Sequence, residues 1–215
     1  NVKGLTNHNN GKTFNTIKNI LAKRVNGQPN TTKLKNNLGY NIYYKVLNSK
    51  DYGVPQNRER IYIIGFLNQK ICFEFPNPKK ESAHLSNILE KNVKDHNISE
   101  IAKNNIKNNL EKHPKYTQIY KNKNLIAYEI RKSKCSFRYD NLSPTLTAKM
   151  GTGGNNVPVI VQKMRKLTTK ECLRIQGFPE DFKIKNNSSQ SYKQIGNSVS
   201  VPLIEAITKK IIKYL

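Results

Sequence analysis

The stretch DYGVPQNRERIYIIGF, residues 51–66, constrains this chain more than any other. Gly53 and Pro55 break regular structure, and the apolar run that follows Arg60 reads as a buried strand. Side chains alternate across an extended backbone, so Gln56, Arg58 and Arg60 share one face while Asn57 and Glu59 share the other. An amide and two forked guanidiniums facing one way suit a planar or anionic ligand: a base, a carboxylate or a phosphate. The competing reading is a ladder of surface charges at the start of a strand, which contributes little. A second apolar run over 41–47 predicts an antiparallel pair with 60–66 at a sheet edge.

Charge narrows the partner. Lys and Arg number 38 against 14 Asp and Glu, a net charge of +24 on 215 residues. Such a surplus repels itself in a compact state and favours a polyanion, with nucleic acid ahead of an anionic membrane surface or an acidic protein. Asn and Lys are abundant throughout, so a composition bias explains part of the charge. Hydrophobic residues make up 36%, below the usual ~45–50%, which predicts a modest core and long loops. No apolar window approaches the roughly 18 residues of a membrane span, and NVKGLTNHNN lacks the apolar centre of a secretory signal. Cys72, Cys135 and Cys172 form no CxxC pair, which argues against a disulfide framework or zinc knuckle and fits a reducing cytoplasm. His8, His84, His96 and His113 show no metal-ligand spacing, so no metal site is expected.

The rest of the chain divides by character. Residues 11–25 carry Phe14, Ile17, Ile20 and Leu21 at helical spacing. Residues 67–165 are polar and broken by prolines, with short helices expected near 85–92 and 99–110 and strands near 125–130, 145–148 and 157–161. Thr168 and Glu171 form a capping box that opens a helix through Gly177. Asn197 is expected to open a last helix striped by Ile204, Ile207, Ile211 and Leu215, with Lys209, Lys210 and Lys213 at its C-terminal end. The expected division is 1–66, an irregular domain over 67–165, and a return over 166–215.

Four pieces occur in a set order: NVKGL at the start, PQNRER at 55–60, RKLTTKECLRIQGFPEDFKI at 165–184 and KQIGNSVSVPLIEAI at 193–207. With a long insert between the second and third, the combination resembles the C-terminal half of a C5-cytosine DNA methyltransferase. The resemblance implies an α/β fold: part of a class I S-adenosylmethionine-dependent methyltransferase sheet plus a small target-recognition domain, with double-stranded DNA between them. It also implies a reaction. A cytosine is flipped out of the duplex, a cysteine thiolate adds to C6, a glutamate assists at N3, and C5 takes the methyl group.

Carried over by position, Gln56, Arg58 and Arg60 match the family's Gln-x-Arg-x-Arg motif. The resemblance assigns Arg60 to the O2 carbonyl of the flipped cytosine, Arg58 to the active-site carboxylate or a phosphate, and Gln56 to the loop that holds the base. Asn197 and Ser198 match residues that touch the cofactor; an ordinary helix cap is the alternative. CSFRYDNLSPTLTAKMGTGGNNVPVIV, 135–161, resembles the end of the recognition domain. There Thr145 matches the position beside the flipped base, and Arg138, Lys149 and Asn155 are candidate DNA contacts. Gly151, Gly153 and Gly154 have the wrong spacing for a phosphate loop and read as a turn that lets DNA approach, against a plain flexible loop.

None of the three cysteines follows a proline, as the family's nucleophile does, and Cys172 reads as core. The cofactor loop Phe-x-Gly-x-Gly is absent too, and Asn1-Val2 match the last two residues of the family's Glu-Asn-Val. The expectation is a fragment of a bacterial, cytoplasmic restriction–modification methyltransferase. It would be inert without an N-terminal half carried on the same or a separate chain. Two rivals remain, a non-catalytic DNA-binding or specificity subunit and a tRNA cytosine-5 methyltransferase, the latter disfavoured by the length of the insert.

Overall fold

The computed structural model describes residues 3–31, 36–79, 83–121, 124–153, 156–184 and 187–215. They form two compact units: Asn1–Asn48 with Glu59–Pro78 and Glu205–Leu215, and Ser49–Arg58 with Lys79–Ile204.

The first unit begins with α1 (Lys12–Leu21), β1 (Ala22–Val25) and β2 (Gln28–Pro29), followed by β3 (Tyr40–Asn48) and β4 (Glu59–Phe66). The sheet runs β2-β1-β3-β4, with β1 and β3 parallel and the other neighbours antiparallel. The expected pair is β3 and β4, in register from Asn41 opposite Phe66 to Asn48 opposite Glu59. The helix expected over 11–25 stops at Leu21. Asn26 and Gly27 both take positive φ, 47° and 80°, and this tight turn folds Val25 back against Gln28 as a hairpin. Tyr43, Phe66 and Phe73 pack as tilted and edge-on rings at the centre of this unit.

The second unit carries α2 (Glu100–Glu111), α3 (Tyr116–Ile119), β5 (Ile126–Tyr128), β6 (Ser136–Arg138), β7 (Val159–Ile160), β8 (Arg165–Lys166), α4 (Thr169–Gln176) and α5 (Ser188–Asn197). Its small antiparallel sheet, ordered β6-β5-β7-β8, is apolar on both faces. Ile126 and Ile160 pair and join one core with Leu146, Cys172, Ile175 and Ile195. Ala127 and Val159 pair one position on and join a second core with Ala102, Ile106 and Leu110 of α2. A shared core is why the boundary expected at 165/166 is not where the units divide. A polar segment of this kind lacks the apolar surface to close alone, so the helices after 166 complete it. From Lys79 onward the chain stays in this unit until it leaves within α6 (Val201–Ile211).

Other local expectations fare unevenly. Ser99 caps α2 by accepting from the Ala102 N–H, near the expected start. Only a 3-10 turn, Leu85–Asn87, stands where a helix was expected over 85–92. Residues 145–147 form no strand, and a 3-10 turn follows at Ala148–Thr152. The capping box opens α4 as expected, and Gly177 ends it with φ 79°. Among the described residues no helix is long and apolar enough to cross a membrane.

Candidate functional site

Within the second unit, residues 55–58 run beside 143–146 and join them through main chain and side chain together. Ser143 N–H donates to the Pro55 carbonyl at 2.7 Å, and Asn57 N–H to the Ser143 carbonyl at 3.0 Å. Gln56 is fully buried; its Oε1 accepts from Leu146 N–H at 3.0 Å, and its Nε2 donates to Gln176 Oε1 at 3.0 Å and the Ile175 carbonyl at 3.3 Å. Arg58, 6% exposed, donates to the carbonyls of Leu146 at 2.6 Å, Ser198 at 2.8 Å and Gly196 at 3.3 Å. Gln56 and Arg58 thus meet the two polar groups of one residue, Leu146, as a shared face requires. Arg58 was expected to hold a carboxylate or phosphate, whereas these bonds go to main-chain carbonyls. A buried guanidinium needs acceptors, and carbonyls at a helix end carry the partial negative charge to supply them.

Two glycines let this seam close. A Cβ on Gly196 would lie 2.1 Å from the Thr147 carbonyl carbon, and one on Gly151 would lie 2.3 Å from the Ser189 carbonyl oxygen. Gly151, expected to let DNA approach, is therefore needed by the crossing of α5 against 147–151. Gly153 has φ 78° and open space around it, and Gly154 lies outside the described residues.

Beside the seam is an open cleft of about 340 Å3, whose lining includes Asn57, Glu129, Arg138, Thr145 and Lys149. Three of the four candidate DNA contacts therefore meet at one place, and the fourth, Asn155, lies outside the described residues. Thr145 is fixed there by donating its hydroxyl to the Asn57 carbonyl at 2.8 Å. Lys149 is exposed; Arg138 is half-buried and pairs with Asp140. The lining mixes apolar side chains (Tyr128, Pro144, Met150 and Pro158) with Arg138, Lys149 and Glu129, and its two cations suit an anionic ligand that also presents a flat apolar face.

Asn197 and Ser198 do not open a helix. Asn197 ends α5, Ser198 is its C-cap, and α6 starts at Val201. The expected stripe also shifts, since Leu203 and Ile207 are the buried residues of α6 and Leu215 is 95% exposed. Asn197 is exposed, and the Ser198 hydroxyl donates to the Ile195 carbonyl at 2.6 Å. The Ser200 hydroxyl, next to these residues, is buried with no partner among the described residues.

In the first unit, Arg60 stands opposite Leu47 and donates to the Glu59 carbonyl at 2.7 Å. Its partial burial lowers the guanidinium pKa, which Tyr62 opposes. Cys135 and Cys172 fit poorly as nucleophiles. Burial pushes the Cys135 thiol up to about 12, against a hydrogen bond with the Tyr128 backbone. Fully buried Cys172 is raised too, by burial and then by the charge of Glu171.

Sequence reasoning missed Gln176, whose Nε2 also donates to the Ile195 carbonyl at 3.0 Å, so one buried amide ties Gln56 to α5. The signal was available: a glutamine on the buried side of an amphipathic helix needs a polar partner. It also missed the bidentate pair between Arg165 and Glu171, at 2.8 and 2.7 Å, beneath the capping box.

A family model described as C-5 cytosine-specific DNA methylase matches residues 1–213. The chain is 38% identical over 221 residues to the type II methyltransferase M.Bsp6I of Bacillus sp. (strain RFL6), covering 99% of this chain and 64% of that protein. It is likewise 38% identical over 223 residues to the type II methyltransferase M.HaeII of Haemophilus aegyptius, covering 100% and 60%. The chain thus spans 60–64% of the length of these curated relatives. Among solved structures it resembles the S. pombe Dnmt2 methyltransferase, with a TM-score of 0.61 at 15% identity over 100% of this chain and 65% of that one. That likeness shows an α/β methyltransferase fold. A match over nearly the whole chain, together with these identities, shows that the chain belongs to the C-5 cytosine-specific DNA methylase family.

Proposed function

We propose that this chain forms the DNA-facing part and one wall of the cofactor site of a DNA cytosine-5 methyltransferase belonging to a restriction–modification system. The observation that carries the reading is the seam of Gln56 and Arg58. It joins the 143–146 segment, whose Thr145 the resemblance assigns beside the flipped base, to the 195–198 segment, whose Asn197 and Ser198 it assigns to the cofactor, in one unit. Gln56 and Arg58 then act as positioning residues. Thr145 meets the DNA backbone beside the extruded cytosine, and Arg138, Lys149 and Asn155 contact the duplex. Arg60 donates to the cytosine O2 as charge develops during attack at C6.

The residues at the α5–α6 junction fit the polar end of S-adenosylmethionine. An exposed amide at Asn197, the Ser200 hydroxyl and the N-terminal N–H groups of α6 suit an amino-acid carboxylate, and the Ser198 hydroxyl, which donates to Ile195, is left to accept from the amino group. When bound, the cofactor supplies the methyl group. This chain's part is to hold it there and to keep the base-facing segment in register with it.

None of the three cysteines follows a proline, and burial raises the Cys135 and Cys172 thiols, so the thiolate and the glutamate at N3 are proposed to come from a polypeptide region carrying Pro-Cys and Glu-Asn-Val. The test is to mix this chain with such a region, duplex DNA and tritiated S-adenosylmethionine. Label is expected in duplex DNA, in preference to competing tRNA. Sequence-specific binding without transfer in any pairing would instead leave a DNA-binding specificity subunit, which the raised thiols also permit. Label in tRNA alone would move the substrate to tRNA.

A further inference from the structure

Arg138 is not a loose surface cation. Its Nε donates to Asp140 Oδ1 at 3.1 Å, and its Nη2 pairs with Asp140 Oδ2. The carboxylate is anchored in turn, since Oδ1 also accepts from the Leu142 N–H at 3.3 Å. Arg138 ends β6 opposite Ile126, so its backbone is fixed by the sheet, and its side chain lines the cleft beside Thr145 and Lys149.

The consequence follows from donor geometry. Asp140 occupies the Nε edge of the guanidinium. Nη1 and the second Nη2 hydrogen remain, without a partner among the described residues, and they form a parallel end-on fork. In the major groove only guanine offers two adjacent acceptors, O6 and N7, to match that fork. Holding the guanidinium before binding also removes rotamer freedom that a free arginine would lose on contact.

We propose that Asp140 is a specificity-determining positioning residue. It holds Arg138 so that the cleft selects a guanine in the recognised duplex, and it keeps that hold when DNA is bound. This rests on the cleft being the DNA face. It goes further in naming the base that is read and the residue that enforces the reading.

The experiment is selection of a randomised duplex library by the 215-residue chain, with sequencing of the bound pool and a denaturation midpoint for each variant. The wild-type pool is expected to fix a guanine at one position. Asp140→Ala should reduce that preference about tenfold, the scale of one bidentate base contact, with an unchanged midpoint. Asp140→Asn keeps an acceptor for Leu142 but loses the charge, and should fall between. Arg138→Ala should abolish the preference, and adding Asp140→Ala to it should change nothing more. An Asp140→Ala pool that keeps its guanine, or a further loss on top of Arg138→Ala, overturns the inference while leaving the DNA face intact. A wild-type pool with no enriched sequence overturns both.

Discussion

The seam and the cleft of the second unit use similar polar side chains to opposite ends. In the seam, Gln56, Arg58 and Gln176 are buried and bond to main chain and to each other. In the cleft, Lys149 is exposed and Arg138 keeps one edge of its guanidinium toward the opening. Thr145 belongs to both, lining the cleft while bonded to Asn57 beside Gln56. The difference teaches where each kind of function resides. Polar groups with protein partners set geometry, and polar groups facing the opening remain for a ligand.

Substitutions should separate the two classes. Arg60 belongs with the ligand-facing class by its assigned role, and Arg60→Ala should lower turnover of a reconstituted enzyme by about tenfold to a thousandfold without comparable loss of stability. Unchanged turnover would return Arg60 to the status of a surface charge. Glu171→Gln should show the opposite pattern, because it leaves buried Arg165 without its charge partner. Breaking such a pair costs about 3–5 kcal/mol of unfolding free energy, measured by denaturant titration.

The same residue sets a pH dependence. Burial pushes the Glu171 carboxyl up, but hydrogen bonds from Arg165 and from the Thr168 and Glu90 N–H groups outweigh it and hold the pKa below the ordinary value. A lowered folded-state pKa contributes stability that is fully present above about pH 4.3, the unfolded value. That stability disappears as pH falls through the folded value. The wild-type curve should therefore drop at acid pH, and Glu171→Gln should flatten that drop; parallel curves would remove the ion pair from the account.

Arg58→Met keeps the aliphatic stem and deletes the donors to three carbonyls. A loss of about 3 kcal/mol is expected from charge-assisted bonds of this kind. A stable variant with weakened DNA binding would instead put Arg58 in the ligand-facing class.

Much of this arrangement was legible along the chain. Alternation predicted that Gln56 and Arg58 work on one side, and Thr168 with Glu171 announced the start of α4. The partners of Arg58 were not legible, because they are carbonyls 88 to 140 residues away and carbonyls leave no mark in residue type. The hairpin at Asn26-Gly27 was missed for a different reason: its turn signal was present, but the helical stripe before it was carried four residues too far. The division into units depended on which apolar residues share a core, which periodicity within single elements does not reveal.

The most direct test is the salt dependence of duplex binding by wild type and Lys149→Ala, with unfolding measured on both. If the cleft is the DNA face, the variant should bind more weakly, its log–log salt slope should be shallower by about 0.9, and its unfolding free energy should stay within about 0.5 kcal/mol of wild type. Equal affinity and equal slope would contradict the account.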